Sequence, residues 1–327
     1  MINSQWGLVM AARALVRIGV VAGSLLAAMG PAEAVSFTFS EVAGDTLTDA
    51  QAQAFAAAAA AWSAVLTDPV TVNIGIGFRD LGLGAGGGAV LGATQAGFGT
   101  VTYGAYAAGL AADASSALDR AAVAHLPAVG PSDRITLTTA EARALGLGAP
   151  AASDGTIEFT SRPGVTFAAT RADLRAGRYD LIGTAEHEIA HLLGFESALD
   201  QGSATRTALD VFRFSGRGAP GFSAGQAAYF SVDGGATSLG SFSPGGSGQY
   251  QASHWLQGTG GLLDPAVYDG AEKDITPRDV LALDAVGWDA AVAEPASGAV
   301  LLAGLGLLGM WRMRLAGSGR ASGPARR

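Results

Sequence analysis

Val70, Val72, Ile74, Ile76 and Phe78 alternate with Thr71, Asn73, Gly75 and Gly77. That period of two predicts a strand with one buried face. Upstream, Thr48-x-x-Gln51 forms a capping box before an alanine-rich run. It predicts a helix to about Leu66, stopped by Asp68-Pro69. Leu81 to Gly99 is glycine-rich and reads as a loop or irregular hairpin, and it lacks the Gly-Lys-Ser/Thr ending of a phosphate loop. Ser115 to His125 reads as a helix, Ile135–Thr138 and Thr156–Thr160 as short strands, and Asp180–Leu193 as a second long helix. Ser197 to Gln249 is rich in glycine and serine, with one apolar piece at Leu209–Phe214 and a hairpin turn at Asp233-Gly234. Thr276-Pro277 with Asp279 opens a last helix ending near Trp288. The expected fold class is α+β, a mixed twisted sheet with two long helices and an irregular C-terminal part.

Both ends of the chain read as targeting segments. Arg13 and Arg17, an apolar run from Ile18 to Gly30, and Ala32-Glu33-Ala34 have the order of a signal peptide over residues 1–34. At the other end, Pro295 to Trp311 is uncharged and is followed by five arginines without an acid. With Ala293-Glu294-Pro295 before it, segment 293–327 resembles the PEP-CTERM sorting signal of Gram-negative bacteria. The resemblance implies transient membrane anchoring and an exosortase-type processing enzyme as partner. An ordinary C-terminal membrane anchor is the alternative. The expected location is periplasmic, cell-surface or extracellular.

Composition narrows what the remaining domain, 35–292, can do. The chain has 327 residues and no cysteine. That excludes disulfide scaffolds, thiolate metal sites and cysteine nucleophiles. Residues 35–292 carry 13 basic and 26 acidic side chains, a net of −13. Such a surface argues against nucleic acid as a partner. Its acidic loops between 197 and 275 are candidates for Ca²⁺, with a merely solubilising surface as the alternative.

The chemistry lies in His187-Glu188-Ile189-Ala190-His191-Leu192-Leu193-Gly194. On a helix, positions i and i+4 share a face, so both imidazoles can reach one ion. Glu188 can act on a metal-activated water as general base. Gly194 can take the positive φ that ends the helix. With four histidines in the chain, His-Glu-x-x-His arises in about one shuffled sequence per thousand. The bland alternative is an amphipathic helix with two histidines on its polar face. A catalytic zinc site needs a third protein ligand. Three residues past Gly194 the chain has Ser197, so the compact His-Glu-x-x-His-x-x-Gly-x-x-His spacing is absent. His254 is the histidine downstream, and Asp200, Asp210, Glu196 and Glu272 are the carboxylate alternatives. His254 is favoured because imidazole is a usual third ligand. His125 reads as an ordinary, partly buried histidine.

The order His187 to Phe195, a long insert, His254, then Gly261-Leu262-Leu263-Asp264-Pro265 resembles the leishmanolysin-like branch of the metzincins. A closer resemblance is to PEP-CTERM-bearing bacterial proteins described as zinc metalloproteases. It rests also on Leu209–Phe214, Ser253-His254-Trp255, Ala282–Asp289, Trp62 and Asp68–Asn73, and so spans nearly all of 35–292. It implies a zincin or metzincin-like fold, with an N-terminal subdomain to about residue 194 and a C-terminal subdomain from 195 to 292. It implies Zn²⁺ on His187, His191 and His254, Glu188 as catalytic base, and a turn at Leu262, Leu263, Asp264 and Pro265 beneath the metal. Leu262-Leu263 stand where that turn commonly carries methionine. Tyr268 and Tyr250 are candidates for stabilising the transition state, with a surface tyrosine the plain alternative for each. The expected activity is hydrolysis of a peptide or protein substrate. A catalytically silent, zinc-stabilised surface or matrix module is the second reading, and an anchored structural protein with an accidental motif is the third.

Overall fold

The computed structural model describes residues 34–84, 87–128, 133–202, 205–246 and 250–291. The expected signal peptide, but for Ala34, and the sorting segment lie outside the described residues. β1 (Ser36–Glu41) leads through α1 (Asp49–Ser63) to β2 (Thr71–Arg79), parallel to β1. β3 (Gly92–Ala96), β4 (Phe98–Thr102), α2 (Tyr103–Asp113), α3 (Ala117–Ala124), β5 (Arg134–Thr138) and α4 (Thr139–Ala144) follow. β6 (Gly155–Thr160) then pairs parallel to β2, and β3 joins it antiparallel, giving a sheet of order β1-β2-β6-β3. The pair β7 (Phe167–Ala168) and β8 (Tyr179–Asp180) precedes α5 (Leu181–Leu192). β9 (Arg206–Thr207) completes a second sheet, β4-β5-β9, before α6 (Ala208–Val211). β10 (Arg213–Gly216), β11 (Ala219–Pro220), β12 (Tyr229–Phe230) and β13 (Gly240–Ser241) form an antiparallel sheet, and α7 (Pro277–Val286) ends the described fold. The class is mixed α+β, with mixed sheets and seven α-helices among the described residues.

Local chemistry accounts for the elements that position the site. The Thr48 hydroxyl and Gln51 side chain cap α1 reciprocally, and Phe55, Ala58 and Trp62 form its buried face. Trp62 Nε1 donates to the Glu186 carbonyl at 2.9 Å, which fastens α1 to α5. β2 buries Val72, Ile74 and Ile76 as its alternation predicts. One apolar core holds Phe55, Phe159 and Leu192 together with Phe230, Trp255 and Trp288, so residues on both sides of Gly194 share it. Fully burying side chains of this size contributes about 1.5–3 kcal/mol each.

Several expectations need correction. Leu81–Gly99 is not all loop, since β3 and the start of β4 lie within it. Glycine and alanine carry little strand signal of their own. Here they are required by the helix lying on this edge, because a Cβ on Gly92 would stand 2.6 Å from Glu188 Oε1. α1 stops at Ser63 rather than Leu66, and Leu66 instead bridges to Ala290. The apolar piece Leu209–Phe214 divides between α6 and β10, because Thr207 and Asp210 form a capping box that starts a helix of one turn. His125 is exposed rather than partly buried, and its Nδ1 lies 2.8 Å from the Ala121 carbonyl at the end of α3. β1, α2 and α4 were not foreseen.

Candidate metal centre

α5 carries His187, Glu188 and His191, and its C-terminal turn fixes more than the helix end. The Gly194 amide bonds His191 O at 3.1 Å, and the Phe195 amide bonds Ala190 O at 3.0 Å. With Gly194 at φ +111°, this is a Schellman closure. A Cβ on Gly194 would also stand 2.9 Å from the Glu141 carboxyl. The turn delivers the Phe195 carbonyl to His191 Nδ1 at 2.8 Å. Trp288 Nε1 donates to Leu193 O at 2.6 Å and clamps the same end from α7's side.

His254 reaches α5 from 67 positions downstream of His187. Its Nε2 lies 3.2 Å from His187 Nε2, which is also 3.2 Å from His191 Nε2. The opposite nitrogens all face main-chain carbonyls. His187 Nδ1 is 2.9 Å from Leu262 O, and His254 Nδ1 is 3.2 Å from Gln251 O. A ring nitrogen facing a carbonyl must carry the proton, so the three Nε2 atoms turn bare lone pairs toward one another. Burial, then the neighbouring His191, lowers His187 to about 3, and the same causes hold His254 well below the ordinary value. Both imidazoles are therefore neutral, the form that ligates a metal. Bare lone pairs this close repel unless a cation lies between them. Tetrahedral coordination at zinc–nitrogen distances spaces its ligands by about 3.3 Å, close to the 3.2 Å that separates His187 Nε2 from each of the other two. His187, His191 and His254 could thus hold one metal ion.

The turn at 261–265 supports the cluster through its backbone. Leu262 and Leu263 are buried, and the Leu262 carbonyl is the one that orients His187. Asp264 accepts from the amides of Gly258, Gly260 and Gly261 and from the Thr259 hydroxyl, which fixes the loop, while Pro265 is half-buried. Asp279, fully buried, caps α7 through Thr276 and also accepts from Leu262 N and Trp255 Nε1. One carboxylate thereby joins the last helix to the turn and to the residue after His254.

The carboxylate alternatives are engaged elsewhere. Asp200 accepts the amides of Gly246 and Ala252, and Asp210 binds Ser197 Oγ and the Ala198 amide. Glu272 pairs with Arg171. Glu196 lies behind His191, with Oε1 3.5 Å from Nδ1, and Ser253 donates to its Oε2. Burial raises the Glu196 carboxyl to about 8. Tyr268 is 77% exposed and Tyr250 is half-buried, and no hydrogen bond links either hydroxyl to Glu188 or the imidazoles.

Sequence reasoning missed three neighbours. Thr94 Oγ1, on β3, lies 2.8 Å from Glu188 Oε2 and 2.9 Å from its carbonyl. Burial raises the Glu188 carboxyl, and the neighbouring His191 and the Thr94 hydroxyl oppose that rise. Gly92 leaves the space the carboxylate occupies. Lys273 donates to Gly261 O at 3.0 Å, and its charge bears on His187 and His254. Its only signal was being the one lysine in the chain. No protein-family model, curated protein or solved structure matches this chain.

Proposed function

We propose that this protein is an exported zinc-dependent endopeptidase of metzincin-like fold, related to the PEP-CTERM-bearing metalloproteases that its sequence resembles. The observation that carries the reading is the convergence of three bare Nε2 atoms next to Glu188. A zinc ion held by His187, His191 and His254 supplies Lewis acidity for a water and a peptide carbonyl. Thr94 holds Glu188 Oε2, leaving Oε1 to take the proton of the attacking water and return it to the leaving amine. The free side of β3, an edge strand, offers backbone groups to an extended peptide beside that carboxylate. Leu262 and Leu263 form the apolar floor in place of a methionine-bearing turn, and the Leu262 carbonyl keeps His187 in its ligating tautomer.

Export, transient anchoring and exosortase processing belong to the same reading, on residues outside the described fold. Among the described residues no helix is long and apolar enough to cross a membrane. Intact mass of released protein tests processing, since retained Arg327 would refute it.

Metal analysis and quenched-peptide hydrolysis test the activity on purified protein. About one zinc per chain with chelator-sensitive hydrolysis is the expected result. Stoichiometric zinc without hydrolysis would favour the silent, zinc-stabilised module. Absence of bound zinc would overturn both.

A further inference from the structure

Five aspartates gather on the side of the domain where α2, α3 and α7 meet. Asp68 follows α1, Asp113 is the last residue of α2, Asp119 lies in the first turn of α3, Asp284 is on α7 and Asp289 follows it. One carboxylate oxygen each from Asp68, Asp113 and Asp289 lies within 4.8 Å of the others. No lysine, arginine or histidine pairs with any of the five among the described residues. The acidic loops at 197–275, candidates for calcium in the sequence, contain no comparable group among the described residues.

A second observation points to a ligand. Asp119 is 7% exposed, and its Oδ2 accepts the Ser115 and Ser116 amides, but its buried Oδ1 accepts no N–H or hydroxyl among the described residues. Its carboxyl group is in contact with that of Asp284, and its charge bears on Asp68 and Asp113. Asp113 also stands at the carbonyl end of α2, where the helix dipole disfavours an anion and favours a cation. Burial and mutual repulsion raise Asp68 to about 6 and Asp113 and Asp284 to about 7.

We propose that Asp68, Asp113 and Asp289, backed by Asp119 and Asp284, form a calcium site. The donors are all oxygens, which selects a hard cation over zinc, and several carboxylates in irregular array suit calcium better than octahedral magnesium. The bound ion clasps the turn after α1 and the end of α2 to the segment after α7, joining positions 221 residues apart. Trp288, one residue before Asp289, carries that clasp to the end of α5. The site is separate from the histidine cluster and independent of the proteolytic reading.

Full-length protein, stripped of divalent ions and resupplied with zinc, is titrated with calcium, magnesium or terbium. Calcium is expected to raise the melting temperature by about 5 °C. Terbium luminescence should be excited through tryptophan and displaced by calcium. Asp113→Asn and Asp289→Asn should each weaken calcium binding by about tenfold or more. Removing one charge relieves repulsion, so calcium-free Asp113→Asn should melt no lower than wild type, which separates lost binding from misfolding. His254→Ala should keep the calcium response. No shift in wild type at about 10 mM calcium would overturn the site. An unchanged response in both asparagine variants, or an equal one to magnesium, would overturn it as well.

Discussion

In the histidine cluster every ring has its second nitrogen on a main-chain carbonyl, and two pairs of Nε2 atoms stand 3.2 Å apart. In the aspartate cluster the donors are carboxylate oxygens, only partly held by amides and serine hydroxyls. The difference lies in what each must do without an ion. Neutral imidazoles can be packed tightly because only lone-pair repulsion opposes them, and backbone acceptors choose their tautomer. Carboxylates repel over longer distances and answer by taking protons. On the proposed readings the histidine cluster is set in advance for a small, strongly bound ion and the aspartate cluster for a larger one.

The largest expected effect separates ligand from base within the first cluster. Glu188→Ala should cut kcat/KM for peptide hydrolysis by about 10³-fold while zinc content is unchanged. His254→Ala should lose both zinc and activity with the fold retained by circular dichroism, and His125→Ala should lose neither. Full activity in His254→Ala would break the three-histidine account.

Gly92→Ala should lower kcat by about 10²-fold with zinc retained, since the new Cβ evicts Glu188 Oε1. Wild-type turnover would mean that the carboxylate works from another position.

Gly194→Ala tests the frame that holds His191. A side chain at φ +111° set against the Glu141 carboxyl should lower unfolding free energy by about 2 kcal/mol in urea titrations. It should also weaken zinc binding by moving the Phe195 carbonyl. Stability lost without any change in zinc affinity would show that this carbonyl does not orient the ligand.

Thr94→Val should slow hydrolysis by about tenfold, with Thr94→Ser restoring it, because one hydroxyl orients the Glu188 carboxylate. An equal loss in the serine variant would assign the effect to packing.

The smallest effect concerns the second cluster. Asp68, Asp113 and Asp284 have folded-state values raised above those of unfolded aspartates, so the folded state binds more protons. In calcium-free buffer the melting temperature should therefore fall as pH rises from about 4 through 8, Glu186 and Glu196 adding to the fall, and the three aspartates' share of it should shrink in Asp113→Asn. A melting temperature that rises across that interval would contradict the clustering.

Legibility followed the range of the interaction. The capping boxes at Thr48 and Thr276, the alternation of β2 and the i, i+4 histidines of α5 are local, and each stands where its pattern predicts. β3 escaped notice because glycine and alanine advertise no strand, and Gly92 is small only because Glu188 lies over it. Thr94 escaped with it. Only nearness in sequence commends Tyr250 and Tyr268, and that says nothing about where a loop side chain points.

By itself, then, the sequence determined the elements with periodic or capped ends and the pair of imidazoles on one helical face, because those depend on neighbours within about one turn. Only the tertiary structure decided that His254 joins them, that the Leu262 and Phe195 carbonyls orient two of the rings, and that Thr94 holds Glu188. It alone gathered Asp68 and Asp289 from opposite ends of the domain. Each of these contacts is made by chain folding back over tens to hundreds of residues, where no local spacing encodes the partner. The shared core around Trp255 and Trp288 sets their distances.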